Sequence, residues 1–176
     1  MIFRQLFDSD SSTYTYLLAS RAGGEALIID PVKEHADEYL MLIEQLGVKL
    51  VIAIDTHTHA DHVTALGDLR TATHCVTWMG ERTKAECVSA QFKDGQTVGF
   101  DGVKLRAMYT PGHTDESFSL VMSDRVFTGD ALLIRGTGRT DFQNGDSYAA
   151  YDSLFNKLLK LPDETLVYPA HDYKGW

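Results

Sequence analysis

The chain has 176 residues, 44% of them hydrophobic and 10% aromatic, which is enough apolar material for one packed domain over 1–176 and too much for a disordered chain. Lys and Arg total 16 against 25 Asp and Glu, a formal net charge of −9. That balance disfavours nucleic acid or an anionic membrane as partner but leaves small anionic substrates open, because these respond to the local field of a cleft. Two cysteines, Cys75 and Cys87, make no disulfide framework and read as free or buried thiols. With no secretory leader after Met1 and no run near the roughly 20 apolar residues of a membrane span, the chain is expected to be cytoplasmic.

In chain order, Met1–Phe7 and Thr13–Ser20 alternate as strands, Arg21–Glu25 supplies a Gly-Gly turn, and Ala26–Asp30 is a short apolar strand ended by Pro31. From Lys33 to Leu46 the apolar positions Ala36, Leu40, Ile43 and Leu46 predict an amphipathic helix stopped at Gly47. Leu50–Ile54 is a β-branched strand that delivers the chain into Asp55–His62. A short helix is expected over Asp61–Leu69, a strand over His74–Thr77 and a helical turn over Gly80–Lys84. Thr97–Phe100 and Val103–Tyr109 predict a hairpin across Asp101–Gly102, and Ser117–Met122 and Arg125–Phe127 a second pair around Ser123–Asp124. Ser147–Leu161 reads as a helix with Tyr148, Tyr151, Phe155 and Leu158 on its apolar stripe, and Thr165–Tyr168 as a last strand.

The polar clusters fall just beyond predicted strands, where loops converge while a sheet holds their roots. The densest is Thr56-His57-Thr58-His59-Ala60-Asp61-His62. Imidazole and carboxylate together suit Fe, Zn or Mn, although a solvated loop has the same composition, and Asp61 also suits a helix cap. His113 in Thr110-Pro111-Gly112-His113-Thr114, Asp130 in Phe127-Thr128-Gly129-Asp130, and His171 in Tyr168-Pro169-Ala170-His171-Asp172-Tyr173 follow later strands. Each alone is a weak signal, and a lone histidine after a Pro-Gly turn is more often a hydrogen-bonding loop residue. His35 and His74 stand outside the pattern.

Taken together, His-x-His-x-Asp-His, Gly-His-Thr, Thr-Gly-Asp and the late His resemble the metallo-β-lactamase superfamily. The resemblance implies an α+β fold of the four-layer αββα sandwich type, and relatives that continue beyond the position of Trp176 imply a further C-terminal tail. In dinuclear members the residues matching His57, His59 and His113 hold one metal, those matching Asp61, His62 and His171 hold a second, and the Asp130 position bridges them.

The segment Phe127–Gln143, with its Gly136-Thr137-Gly138-Arg139-Thr140-Asp141 core, and Tyr168–Gly175 are similar to the persulfide dioxygenases within that superfamily. This narrower resemblance implies one Fe(II) per chain held by His57, His113 and Asp130 in a two-histidine, one-carboxylate triad, leaving positions for O2 and a substrate sulfur. His59, Asp61, His62 and His171 then orient ligands or line the pocket. The implied reaction converts glutathione persulfide, O2 and water to glutathione and sulfite.

Arg139 is the substrate-binding candidate, as a planar fork for a carboxylate, and reads equally as a surface arginine paired with Asp141. Tyr173 is the second candidate, while Arg135 reads as structural. A sulfurtransferase and a second copy of the chain are the partners to expect. The rival enzyme reading is a glyoxalase-II-like thioesterase with two Zn or a mixed Fe/Zn pair, and the non-enzyme reading is a metal- or ligand-binding protein.

Overall fold

The computed structural model describes residues 1–86 and 88–175, and the expected thiol at Cys87 lies outside them. Cys75 is buried and unpaired. One sheet is laid down almost in chain order, from β1 (Ile2–Asp8), β2 (Thr13–Ala19), β3 (Glu25–Ile29), β4 (Lys49–Ile54) and β5 (Val76–Gly80) to β6 (Ala90–Phe92), with α1 (Ala36–Leu46) and α2 (Leu66–Thr73) crossing between its parallel strands. The second sheet comprises β7 (Thr97–Phe100), β8 (Val103–Tyr109), β9 (Phe118–Val121), β10 (Arg125–Gly129) and β11 (Leu166–Pro169), in the order β11-β10-β9-β8-β7. The last crossover carries α3 (Ser147–Asp152), continued by a π-helical turn at Ser153–Lys157 and a 3-10 turn at Leu158–Lys160.

The strand alternation explains the layers. In β2 and β3, Tyr16, Leu18, Leu27 and Ile29 point between the sheets, where they meet Phe118, Leu120 and Phe127. Their neighbours Leu17, Ala19, Ala26 and Ile28 point the other way, onto Tyr39 and Ile43 of α1 and Leu66 and Leu69 of α2. A third apolar layer joins Met108 and Val126 to Leu158 behind the second sheet. The result is helix, sheet, sheet, helix, as the fold resemblance implies. Each fully buried Leu, Ile or Phe contributes about 1.5–3 kcal/mol, so the two faces of the first sheet are strongly specified. In β4 the alternation slips by one residue, since Ala26 faces Leu50 but Leu27 faces Ile52. The extra residue, Val51, is a bulge of the kind that re-aims a strand beside a site.

Several sequence expectations are corrected. The helix expected at Asp61–Leu69 starts only at Leu66 and runs to Thr73. The reason is that Thr64 forms an antiparallel bridge with Val32 and the Ala65 amide donates to the Pro31 carbonyl, so residues 63 and 64 stay outside the helix and Ala65 becomes its N-cap. His74 is the left-handed cap of that helix, and the following strand is Val76–Gly80. The expected helical turn at Gly80–Lys84 is reduced to one bend closed by the Thr83 amide on the Gly80 carbonyl, and β6 had no sequence signal. The late helix changes type at Ser153, and Tyr148, Tyr151 and Phe155 of its expected core stripe face solvent. Only Leu158 of that stripe is buried. The inward face is instead Ala149, Ala150 and Ser153, which dock a loop rather than fill a core.

The start of α1 is tied to the end of β1 by a charged cluster. The Asp8 carboxylate accepts the Ser11 amide at 2.8 Å and lies 2.9 Å from His35 Nε2, while His35 Nδ1 lies 3.1 Å from Glu38. Burial pushes the Asp8 carboxyl up, but the bonds from Ser11 and His35 outweigh it and hold it down at about 2. The bond to Asp8 raises the His35 imidazole against its partial burial. Because the folded His35 is raised above its ordinary value of 6.5, its stabilisation is complete below that value and is lost as pH rises through the raised one. The substitution His35→Ala is therefore expected to cost about 1 kcal/mol near about pH 6 and less than half of that near about pH 9. Urea midpoints at the two pH values check this, and equal losses would reject the pairing.

Candidate metal centre

Four loops leave one edge of the sandwich. Strands β8 and β10 both run antiparallel to β9, and β11 runs parallel to β10, so the chain leaving each delivers its loop to the same side. His113 follows β8, Asp130 follows β10 at once, and His171 follows β11. Across the interface the loop after β4 brings His57, and the Phe118 amide donating to the Thr56 carbonyl joins the two sheets there. Gly129, at φ 52°, makes the approach possible: a Cβ on it would stand 2.8 Å from the Thr56 hydroxyl.

His57, His113 and Asp130 converge so that one donor atom from each lies within 4.8 Å of the others. Asp130 Oδ2 is 3.1 Å from His113 Nε2 and 4.0 Å from His57 Nε2. In each ring the opposite nitrogen is fixed. His113 Nδ1 donates to the Arg139 carbonyl at 2.8 Å. His57 Nδ1 donates to the Thr56 hydroxyl at 3.0 Å, which itself donates to Asp30 at 2.9 Å. Both rings therefore offer the Nε2 lone pair inward, as metal-binding imidazoles do when an outer partner sets their tautomer.

The electrostatics favour a cation. Burial first, and then the neighbouring imidazoles His59 and His113, hold His57 well below its ordinary value and hence neutral. Burial pushes the Asp130 carboxyl up against the pull of His171 and His113. Asp130 Oδ1 and His171 Nε2 face each other at 3.3 Å without hydrogen-bond geometry, and His62 Nε2 is likewise buried and unpartnered among the described residues. Buried polar atoms left so are costly, and a first-row metal ion with its remaining ligands suits this donor set of two imidazole nitrogens and a carboxylate.

The other expected residues surround this group. His171 is held by its Nδ1 donating to the Ser12 carbonyl at 3.2 Å. His59, Asp61 and His62 form a second convergent group, each engaged at one atom: His59 Nε2 lies 3.2 Å from Asp30, and Asp61 lies 3.0 Å from His62 Nδ1, while His59 Nδ1 and His62 Nε2 are buried without a partner among the described residues. Burial lowers and Asp30 raises the His59 imidazole, for a net rise to about 9. Burial pushes Asp61 up, but the bond from His62 and the field of His171 hold it below the usual carboxylate range. The Arg139 side chain is exposed and grips Asp141 through Nε and Nη2 at 2.7 and 3.0 Å, while its carbonyl orients His113. Tyr173 stacks on His171 with centroids 4.8 Å apart and lines a cleft of about 170 Å³ with Ile134, Arg135, Thr137 and Lys174. Arg135, read as structural, thus borders the site.

Sequence reading missed Asp30, Thr56 and Thr13. Asp30 is buried, has φ 50°, and accepts the Thr56 amide at 2.7 Å. A single acidic residue closing an apolar strand before Pro31 was its only signal. Thr13 touches Asp61 at 3.2 Å and stands 3.4 Å from both His62 and His171.

Residues 9–171 match the family model described as the metallo-beta-lactamase superfamily. The chain is 43% identical over 177 residues to the mitochondrial persulfide dioxygenase ETHE1 of Mus musculus, covering 99% of this chain and 70% of that protein. It is 42% identical over 178 residues to the Homo sapiens counterpart, covering 100% and 70%. The crystal structure of ETHE1 from Myxococcus xanthus superposes with a TM-score of 0.97 at 52% identity, covering all of this chain and 78% of that one. These relatives overturn the cytoplasmic expectation, since both mammalian proteins are mitochondrial. That expectation rested on the lack of a leader-like start, and targeting segments are separable from the folded domain and removed from it.

Asp30→Asn keeps the shape of the side chain, but with its one oxygen on the Thr56 amide it turns an NH2 toward the Thr56 hydroxyl that Asp30 accepts. It is expected to weaken metal binding about 10–100-fold and to lower stability by about 1–3 kcal/mol. Chelator competition and urea unfolding measure the two effects, and metal affinity equal to the parent would show that the Asp30–Thr56–His57 relay does not orient the ring.

Proposed function

The chain belongs to the persulfide dioxygenase family of the metallo-beta-lactamase superfamily, and from this premise we infer an oxidoreductase that converts glutathione persulfide, O2 and water to glutathione and sulfite. The observation that carries the reading into the site is the meeting of His57, His113 and Asp130, with each outer ring nitrogen tied back and each Nε2 turned inward. We assign these three residues to one Fe(II) per chain. Fe(II) bound by two histidines and a carboxylate supplies the one-electron chemistry that makes O2 reactive toward sulfur.

The protein's own contribution is alignment and a shielded field. Thr56 and the Arg139 carbonyl occupy the outer nitrogens of His57 and His113 and leave each Nε2 turned inward. Burial of Asp130 strengthens its interaction with a cation. His171 and His62, each buried with an unpartnered Nε2, offer two further nitrogens to water or a ligand beside the three metal-binding residues. The cleft beside His171 combines Arg135, Lys174 and the Tyr173 ring, an arrangement suited to the carboxylates and peptide planes of a glutathione chain. Arg139 adds a guanidinium whose Nη1 has no bond among the described residues, although Nε and Nη2 hold Asp141. Residues 1–176 act in this reading as one catalytic domain, supplied with persulfide by a sulfurtransferase.

A second reading has a specific observation behind it: His59, Asp61 and His62 also converge, which suits a second ion and a hydrolytic thioesterase. Asp30 holds His59 Nε2 and leaves the buried Nδ1 without a partner among the described residues, so the ring keeps one nitrogen for an ion. Oxygen uptake by anaerobically Fe(II)-loaded protein separates the two. Uptake is expected to require both iron and glutathione persulfide, with about one metal per chain. Thioester turnover without O2 at about two metals per chain would select the hydrolase.

Replacing Arg139 by Lys or Tyr173 by Ala is expected to raise the KM for glutathione persulfide by about ten-fold or less with little change in kcat. Unchanged KM in both variants would place the substrate elsewhere.

A further inference from the structure

We propose that Ser153 and Lys157, on the π-helical turn that continues α3, are positioning residues that set the aim of His113. The inference rests on the reading of His113 as a metal ligand. Its observations, however, lie on the far side of the loop, away from the metal group.

β8 ends at Tyr109, and the α3 segment takes three of the four carbonyls from Tyr109 to Gly112. Lys157 Nζ donates to the Tyr109 carbonyl at 2.6 Å, Ser153 Oγ donates to the Pro111 carbonyl at 2.7 Å, and the Asp146 amide donates to the Gly112 carbonyl at 2.9 Å. Ser153 is buried, so its hydroxyl has an obligatory partner. The ammonium of Lys157 also stands 5.3 Å from the centre of the Tyr109 ring, whose other approach is taken by Arg82 at 4.8 Å. Gly112 permits the contact: it has φ 145°, and a Cβ there would land on the backbone of Ala150. His113 is the next residue, and its own Nδ1 is fixed from the opposite side by the Arg139 carbonyl.

Helix type matters to this arrangement. An α-helical register would place residues 153 and 157 one turn apart on a single line. The wider π turn displaces Lys157 from that line, and the two donors reach carbonyls two residues apart on a non-helical loop. Such turns recur at functional sites. This also accounts for the small inward face of Ala149, Ala150 and Ser153, which lets the segment seat against the loop where a large apolar face would hold it off. A shift of the loop by a fraction of an ångström moves His113 Nε2 relative to Asp130, and metal affinity depends steeply on that separation.

The test uses the full chain with Co(II) as the probe, because its visible spectrum reports ligand geometry and its titration gives a Kd without turnover. Lys157→Met is expected to raise the Co(II) Kd by about ten-fold and Ser153→Ala by several-fold, each with an altered visible band. Lys157→Arg, which keeps a donor and a charge, is expected to return the Kd to within about three-fold of the parent. Leu158→Val loosens the same segment from Met108 and Val126 without touching a loop carbonyl, and should lower the unfolding midpoint while leaving the Kd within about two-fold. A Kd unchanged in both Lys157→Met and Ser153→Ala overturns the proposal, and so does a Leu158→Val effect as large as that of Lys157→Met. If Ser153→Ala does not fold, the Lys157 pair decides alone. His113→Ala separates the two levels: retained tight binding there removes the ligand reading itself, whereas lost binding with unaffected Lys157 and Ser153 variants removes only the positioning role.

Discussion

One buried carboxylate organises the centre. Asp30 ends β3 in a left-handed conformation and receives the Thr56 amide, the Thr56 hydroxyl and an imidazole nitrogen of His59. A buried charge is tolerated only with partners of this kind, and removing one leaves the others uncompensated. Two consequences follow from the same bonds. Through the Thr56 hydroxyl, Asp30 fixes which nitrogen of His57 carries the proton and which offers a lone pair. By engaging His59 Nε2, it also fixes the middle histidine of the motif, whose ring centre lies 4.2 Å from that of His57 and whose buried Nδ1 has no partner among the described residues. A residue outside the histidine motif thus bears on how that motif is used.

The sandwich supplies the frame for these bonds. Apolar side chains between the sheets, among them Tyr16, Phe118 and Phe127, hold β4 and β10 face to face, and the loops beyond those strands inherit the fixed spacing. The bulge at Val51 resets which face of β4 looks inward just before the chain enters the histidine loop. Rigid strands carrying short loops are what a group of donors needs, since errors of even half an ångström weaken coordination.

Charge works on two scales. The chain as a whole is acidic, at −9, yet the cleft beside His171 is bordered by Arg135 and Lys174. The net value governs long-range encounter and solubility, whereas binding of a small anion depends on the few cations within a Debye length of it, about 8–10 Å. Arg139 is engaged on two accounts, its backbone holding His113 and its side chain holding Asp141. A substitution there therefore tests the side chain while leaving the carbonyl in place.

The sequence by itself determined the strand alternation, the amphipathic α1 with its stop at Gly47, the hairpin across Asp101–Gly102, and the clustering of His57, His113, Asp130 and His171 just past strand ends. These are local signals, written in periodicity and in residue type, and its family motifs pointed to the same chemistry. Tertiary structure decided the rest. Residues 63–65 were expected inside a helix but stand before it, because they pair with Pro31–Lys33. The aromatic stripe of the late helix faces solvent, because its opposite side is committed to carbonyls of the loop before His113. Asp30 and Thr56 carried almost no sequence signal, because their role exists only once β3 and β4 lie side by side. Periodicity reports which face of an element is apolar, but only the packed chain shows which backbone groups need a partner and which side chain stands within reach to supply it.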